Sequence, residues 1–363
     1  MAPASQGAVL ALFPSLESAI GGGIQTAGRY ARRGLQSVGR LQSFYYGHMS
    51  QEALEPGDRA APGKFGALWC AATNRWEASL VLVWHLNLLR LVPFFRVAGA
   101  QLAVFLHGIE CWCELDWLTE QALRRVDLFL SNSEYTWKRF SEQRPWLAGK
   151  RFRIVPLGLG EPAGPGDVCE PDQEPAALML GRLVSTEDYK GHREVIEAWP
   201  RVLRQTPGAK LWIAGDGDLR PTLERQAEGL GLRDHVEFLG YISEEEKVQR
   251  IRRSRCLALP SRGEGFGLVY LEAMRLGRPC LAGSLDAAPE VVRPPRAGLT
   301  VDPADPDALA GALRRLLTAG EEWNVWSHEA RRLYEGEFTR EHFERRLREA
   351  LGDGGSARAS ARR

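Results

Sequence analysis

Short apolar runs alternate with longer segments of helical periodicity along the whole 363-residue chain, and the alternation restarts once after a proline-rich interruption. Strands buried on both faces read as such runs, and parallel strands need helical crossovers between them, so the pattern specifies an α/β fold of βα units. In the first half the strand-like runs are Ala8 to Phe13, a weaker one at Leu41 to Tyr46, Phe65 to Cys70, Leu80 to Trp84, Leu102 to Leu106, Leu128 to Leu130 and Phe152 to Val155. After the interruption come strands at Ala177 to Leu180, Lys210 to Ala214, Val236 to Leu239, Cys256 to Leu259, Cys280 to Ala282 and Gly298 to Val301. Helices are predicted between them near 191–206, 219–229 and 244–253, with two more near 305–317 and 341–351. The expected organisation is an N-terminal domain over 1–160, a linker over 161–175 and a second parallel-sheet domain over 176–338. A terminal helix at 339–351 is expected to pack back toward the first domain, ahead of a disordered Gly/Ser/Ala/Arg tail at 352–363. Two similar sheets joined this way leave a cleft for a ligand.

Composition narrows the partners. With 44% apolar and 26% charged residues and a formal net charge of +1, the chain is a globular protein without the basic excess of a nucleic-acid binder. Residues 1–160 hold 17 Lys/Arg against 12 Asp/Glu, a bias compatible with peripheral contact to an anionic membrane. The most apolar stretch, Leu80 to Phe95, is broken by His85, Asn87 and Arg90 and is too short to span a bilayer. Residues 1–20 lack a signal-peptide pattern, and the cysteines at 70, 111, 113, 169, 256 and 280 show no paired metal-ligand spacing. A cytoplasmic protein without a metal or other cofactor is the expectation.

The segment Glu264 to Glu272, EGFGLVYLE, lies between a strand and a helix. A helix beginning near Gly267 offers unpaired backbone N–H groups and the positive end of its dipole, which together hold a phosphate. Gly265, Phe266, Gly267 and Leu268 form the approach to that helix. Glu264 would stand beside a group attached to the phosphate, while Glu272, inside the helix, would accept two hydrogen bonds from a vicinal diol such as ribose. Arg182 follows the strand Ala177 to Gly181, and Lys190 comes eight residues later. Two cations at the carboxyl end of a strand neutralise a departing diphosphate. The simpler alternative makes Lys190 a surface residue paired with Glu187 or Asp188. Asp216-Gly217-Asp218 reads as a turn with an N-capping Asp, in preference to a metal site, and Pro289-Glu290 as ordinary helix-start chemistry.

In the first half, Gly22 and Gly23 follow the first strand and open a helix, where backbone approaches a phosphate or sugar; Thr26 breaks the dinucleotide-binding fingerprint. His107 ends the strand Leu102 to Leu106, and His85 and Asn87 are similarly placed, positions suited to a sugar hydroxyl or to acid/base work. The stretch Arg29 to Tyr46, basic with aromatics, is a candidate acceptor or membrane surface, its alternative being a surface helix and a strand.

Assembled, GRL…YKGH, the GDG turn, SRGEGFGLVYLEAM, the PE step and Gly298-Leu299-Thr300-Val301 resemble, in order, a family 4 retaining glycosyltransferase of the GT-B fold. The likeness is densest between Leu178 and Leu317. In the first half it rests on the Gly21 to Gly23 loop, His107-Gly108, Ser131-Asn132-Ser133 and Val155-Pro156-Leu157-Gly158. The resemblance implies two Rossmann-like parallel-sheet domains facing each other across a cleft, the first for acceptor and the second for donor. It implies that Glu264 contacts the donor sugar, Glu272 the ribose, Arg182 and Lys190 the diphosphate, and the Phe266 and Gly267 amides the sugar hydroxyls, with His107 near the transferred sugar. It implies metal-independent transfer from a UDP-, GDP- or ADP-sugar to a saccharide or lipid-linked hydroxyl, with retained configuration. The expected setting is polysaccharide, cell-envelope or glycolipid synthesis. The alternatives are a nonhydrolysing nucleotide-sugar epimerase and a catalytically silent partner of the same fold.

Overall fold

The structure, a computed structural model, describes residues 7–17, 22–164 and 174–360, the side chains of 353–360 excepted. The chain divides into two compact units, Met1–Gly158 with Arg340–Arg363, and Leu159–Thr339. Each carries its own sheet, and every strand pairing is parallel.

In the first unit the strands are β1 Ala8–Pro14, β2 Arg40–Tyr46, β3 Arg59–Ala61, β4 Leu80–Val83, β5 Gln101–Leu106, β6 Leu128–Ser131 and β7 Arg151–Ile154. Their order is β3-β2-β1-β4-β5-β6-β7, which reverses direction at β1/β4. The second unit has β8 Ala176–Leu180, β9 Lys210–Ala214, β10 Val236–Gly240, β11 Cys256–Leu259, β12 Cys280–Gly283 and β13 Gly298–Val301, ordered β10-β9-β8-β11-β12-β13 with its reversal at β8/β11. Loops leaving the carboxyl ends of the strands flanking a reversal diverge to opposite faces, opening a crevice where α/β sheets take ligands. Strands β4, β8, β11 and β12 are buried along their whole length, which is why they are apolar throughout.

Several expectations change. The run Phe65 to Cys70 is helical, within Gly63–Thr73: Ala67 and Ala71, four apart, face the core, and a short apolar run does not by itself distinguish strand from helix. Strand β3 and the helix Glu321–Leu333 are additional to the predicted elements. The last helix extends over Arg340–Ser360, so 352–360, expected to be disordered, have helical backbone. This helix packs on Gly23–Gln36 of its own unit, where a Cβ on Gly34 would stand 3.3 Å from the Glu344 side chain. The linker expected at 161–175 falls largely on 165–173, outside the described residues, as do Gly21 and 361–363.

The stretch Arg29 to Tyr46 runs from the helix Gly23–Gln36 into β2. Phe44 and Tyr45 are core residues of β2, and Arg32 is held by Glu55 and Asp58 at 2.9 and 2.8 Å. Among the described residues no helix is long and apolar enough to cross a membrane.

Candidate active site

The second unit brings Arg182, Lys190 and Glu264 together at the β8/β11 reversal. Arg182 leaves β8 and Glu264 lies in the loop after β11. Lys190 ends a 3-10 stretch, Ser185–Lys190, one residue before the helix His192–Leu203 begins, rather than opening that helix. Gly191 makes the link at φ 84°, and a Cβ there would lie 2.5 Å from the Pro260 carbonyl oxygen, so only glycine lets the two loops close on each other. The Arg262 N–H then donates to the Tyr189 carbonyl at 2.9 Å.

Glu187 sits between the two cations. Its Oε2 is 2.5 Å from Lys190 Nζ and its Oε1 accepts from Arg182. The surface-residue alternative is half right: Lys190 does pair with Glu187, yet its side chain is only 13% exposed, whereas that of Arg182 is 73% exposed. The GDG turn anchors this stretch. Asp218 Oδ1 accepts from the Ser185 N–H at 2.9 Å, and Asp216 Oδ1 from Gly217 N–H at 2.8 Å. Asp218 therefore fastens the cation loop instead of capping its own helix, whose N-cap, Leu219, makes no side-chain cap.

Asp286 positions Glu264. Its Oδ2 accepts from the Glu264 backbone N–H at 2.8 Å and its Oδ1 from Ala288 N–H at 2.9 Å. Burial pushes the Glu264 carboxyl up to about 7; Lys190 pulls it down, while Asp286 and Glu187 push it further up. Burial likewise raises Asp286 to about 6, against the hydrogen bonds it accepts. Tyr189 is also raised, by burial and by Glu264 and Glu187. At neutral pH Glu264 therefore carries less negative charge than an exposed carboxylate would.

The helix Leu268–Arg275 starts from Gly267 at φ 85° with no side-chain cap and no acid in its first turn. A Cβ on Gly267 would meet the Tyr270 ring at 2.3 Å, and that ring is fixed by its hydroxyl donating to the Leu259 carbonyl at 2.7 Å. The N-terminus is left for an outside anion. Phe266 turns its side chain inward, its ring centroid 6.1 Å from that of Phe338, so only its backbone is available to a ligand. Glu272 lies one turn along from Leu268, on the same face of the helix. Its Oε1 accepts from Lys247 Nζ at 3.0 Å; burial raises its carboxyl and Lys247 opposes the rise.

Glu187, Asp286, Lys247 and Tyr189 complete this site; Tyr189 stands in the YKGH step, whereas Asp286 and Lys247 escape a reading of motifs. Lys247 and Asp286 are 25 and 22 residues from their partners, and only strand packing brings them close. Among the described residues no cluster of three or more His, Cys, Asp or Glu is arranged to hold a metal ion.

The remaining predicted residues lie in the first unit. His85 and His107 end neighbouring strands β4 and β5, close enough to influence each other's charge. His107 Nε2 is 2.6 Å from the Trp84 carbonyl, an acceptor, so Nε2 carries the proton and Nδ1, without a protein partner, presents a lone pair. Burial lowers His107 to about 4, outweighing Glu110, so at pH 7 it is a neutral acceptor. His85 Nδ1 accepts from the Asn87 N–H at 3.2 Å, which occupies that nitrogen, and burial lowers this imidazole too. Gly22 and Gly23 begin the helix Gly23–Gln36, which has no side-chain cap.

Three comparisons bear on this arrangement. Residues 167–333 match the family model for glycosyl transferases group 1. The GDP-mannose-dependent alpha-(1-6)-phosphatidylinositol monomannoside mannosyltransferase of Mycobacterium tuberculosis is 31% identical over 265 residues, covering 64% of this chain and 67% of that protein. Its counterpart in Mycolicibacterium smegmatis is 33% identical over 250 residues, 62% and 63% of the two chains. The crystal structure of Anabaena Alr3699/HepE in complex with UDP and glucose superposes with a TM-score of 0.75 over 95% of this chain and 99% of that one. At 19% identity that likeness carries the fold alone.

Proposed function

Because the chain belongs to the glycosyl transferases group 1 family and is a hexosyltransferase of the GT-B fold, we propose that it moves a hexose, with retention, from a nucleoside-diphosphate sugar to a saccharide or lipid-linked hydroxyl. GDP-mannose is the first donor to try, since relatives a third identical are named for it. Glycolipid or polysaccharide synthesis on the cytoplasmic side suits such a donor, and the five described cysteines are free thiols.

The observation that carries this reading is the Arg182–Glu187–Lys190 cluster, with Lys190 near enough to Glu264 to lower its carboxyl, and Glu264 three residues before an uncapped helix N-terminus. A diphosphate placed there displaces Glu187 from the cations, and each charge-assisted bond contributes on the order of 1.5–3 kcal/mol. The same groups stabilise the negative charge that grows on the leaving diphosphate, which lowers the barrier without a metal. The approaching anion favours protonation of Glu264, whose carboxyl then meets a sugar hydroxyl as donor or acceptor. Asp286 is committed through both oxygens to backbone amides, so it is not the second carboxylate of a double displacement.

Incubation with GDP-mannose, UDP-glucose and ADP-glucose, each with and without a lipid-linked mannoside, tests the proposal. Transfer with an α-configured product by NMR supports it; a β-configured product rules out retention. A new nucleotide sugar formed without acceptor indicates the epimerase, and no turnover with any donor indicates the silent partner.

A further inference from the structure

The helix Gly63–Thr73 is packed inside out. Its buried positions are Ala67 and Ala71, while Phe65 and Trp69, four residues apart on the opposite stripe, are 90% and 74% exposed. Aromatic side chains of this size are the largest source of burial free energy available to a helix, and one selected only for folding places them inward and its alanines outward. Neighbouring elements also expose apolar side chains. Gly63–Thr73 packs against the 3-10 stretch Leu86–Phe94, which packs in turn against the helix Trp117–Arg124. There Phe94, Trp117 and Leu118 are also exposed, Trp117 by 70%. Large apolar side chains left exposed on neighbouring elements mark an interaction site.

The flanks of Phe65 and Trp69 are cationic. Between Arg59 and Ala100 the charged residues are Arg59, Lys64, Arg75, Arg90 and Arg96 against Glu77 alone, and all five cations are exposed, Arg90 being paired with Asp116; beside Trp117 and Leu118 the charges are the acids Glu114, Asp116 and Glu120. Trp and Phe surrounded by Lys and Arg suit the boundary between acyl chains and anionic headgroups, where rings take the apolar side and cations the phosphates. A second copy of this chain is a poorer occupant, because a two-fold contact sets the same cations against themselves.

We propose that this face of the first unit, centred on Phe65 and Trp69 and flanked along the chain by Lys64, Arg75 and Arg96, docks on an anionic phospholipid bilayer. The site is distinct from the candidate active site, and the inference does not rest on the identity of donor or acceptor.

The test is flotation of the full chain with phosphatidylglycerol-containing vesicles and with vesicles of phosphatidylcholine alone. The wild-type chain floats with the anionic vesicles and is released by high salt. Phe65→Ser/Trp69→Ser lowers partitioning by about tenfold or more, and Lys64→Glu/Arg75→Glu abolishes the preference for anionic lipid. Both variants alter only exposed residues, and their GDP and UDP affinities, measured in parallel, stay at the wild-type level. Absence of wild-type flotation overturns the proposal, as does equal flotation of the aromatic variant. So does a wild-type dimer in sedimentation velocity that the aromatic variant converts to monomer without any vesicle binding. Loss of nucleotide affinity in the wild-type chain would instead count against the proposed function.

Discussion

Glu187 Oε2 lies 2.5 Å from Lys190 Nζ, and the other oxygen of the same carboxylate takes Arg182. One internal anion thus holds two cations in the place where the proposed donor diphosphate sits, and substrate binding becomes an exchange of one anion for another. Glu187→Gln removes the competitor and leaves Lys190 without its counter-ion, a state that a ligand anion relieves. Calorimetry is expected to give a several-fold tighter GDP or UDP complex in this variant. Unchanged or weaker binding would mean that Glu187 positions the cations more than it competes with them.

The raised Glu264 carboxyl makes both stability and binding depend on pH. Its folded value, about 7, lies above the ordinary 4.5, so the ionised form is disfavoured in the folded state. Below pH 4.5 the group is neutral in both states and costs nothing; as pH rises toward 7 the folded protein loses stability relative to a neutral isostere. Glu264→Gln is therefore expected to gain on the order of 1–3 kcal/mol over wild type between those limits, in denaturant titrations at a series of pH values. The same ionisation opposes an incoming diphosphate. Wild-type nucleotide affinity should fall from pH 6 to pH 8, as about 7 is crossed, and Glu264→Gln should flatten the dependence. Parallel profiles for the two proteins would remove Glu264 from the site.

Lys247 is expected to act through Glu272. The ion pair at 3.0 Å opposes the rise that burial imposes on the Glu272 carboxyl and so favours the carboxylate, the form that accepts two hydroxyl hydrogens from a ribose. Lys247→Ala and Glu272→Ala should each raise the donor KM by about tenfold, with kcat changed much less, because a remote binding contact is lost. Steady-state kinetics decide it; a fall in kcat with constant KM would place the pair elsewhere.

How much of this was readable beforehand follows from where information sits in the chain. Strands such as Leu80–Val83 and Cys256–Leu259 are buried on both faces and declare themselves by composition. Arg59–Ala61 is a three-residue edge strand with an exposed Arg, too short to show a period. The helix Glu321–Leu333 does carry a helical stripe, Trp323, Trp326, Ala330 and Leu333, and was within reach of the same periodicity argument. In Phe65 to Cys70 the large residues misled, because their exposure inverts the usual relation between size and burial. Glu264, Lys190 and Arg182 were legible because loop glycines and strand ends mark them locally. Asp286 and Lys247 were not, since neither neighbours its partner in sequence.

Metal removal should have no effect. With Lys190, Arg182 and a helix N-terminus as the positive charges, activity after EDTA treatment is expected to match that of untreated enzyme. Loss on chelation, restored by Mg²⁺ or Mn²⁺, would add a cation to the site.

Lys190 bears most directly on the central claim, that the second unit grips a nucleoside diphosphate and stabilises its departure. In Lys190→Ala, with the fold verified by its melting transition, the account predicts at least about tenfold weaker GDP or UDP binding and about a hundredfold lower kcat/KM for donor turnover. Wild-type affinity and turnover in that variant would contradict it.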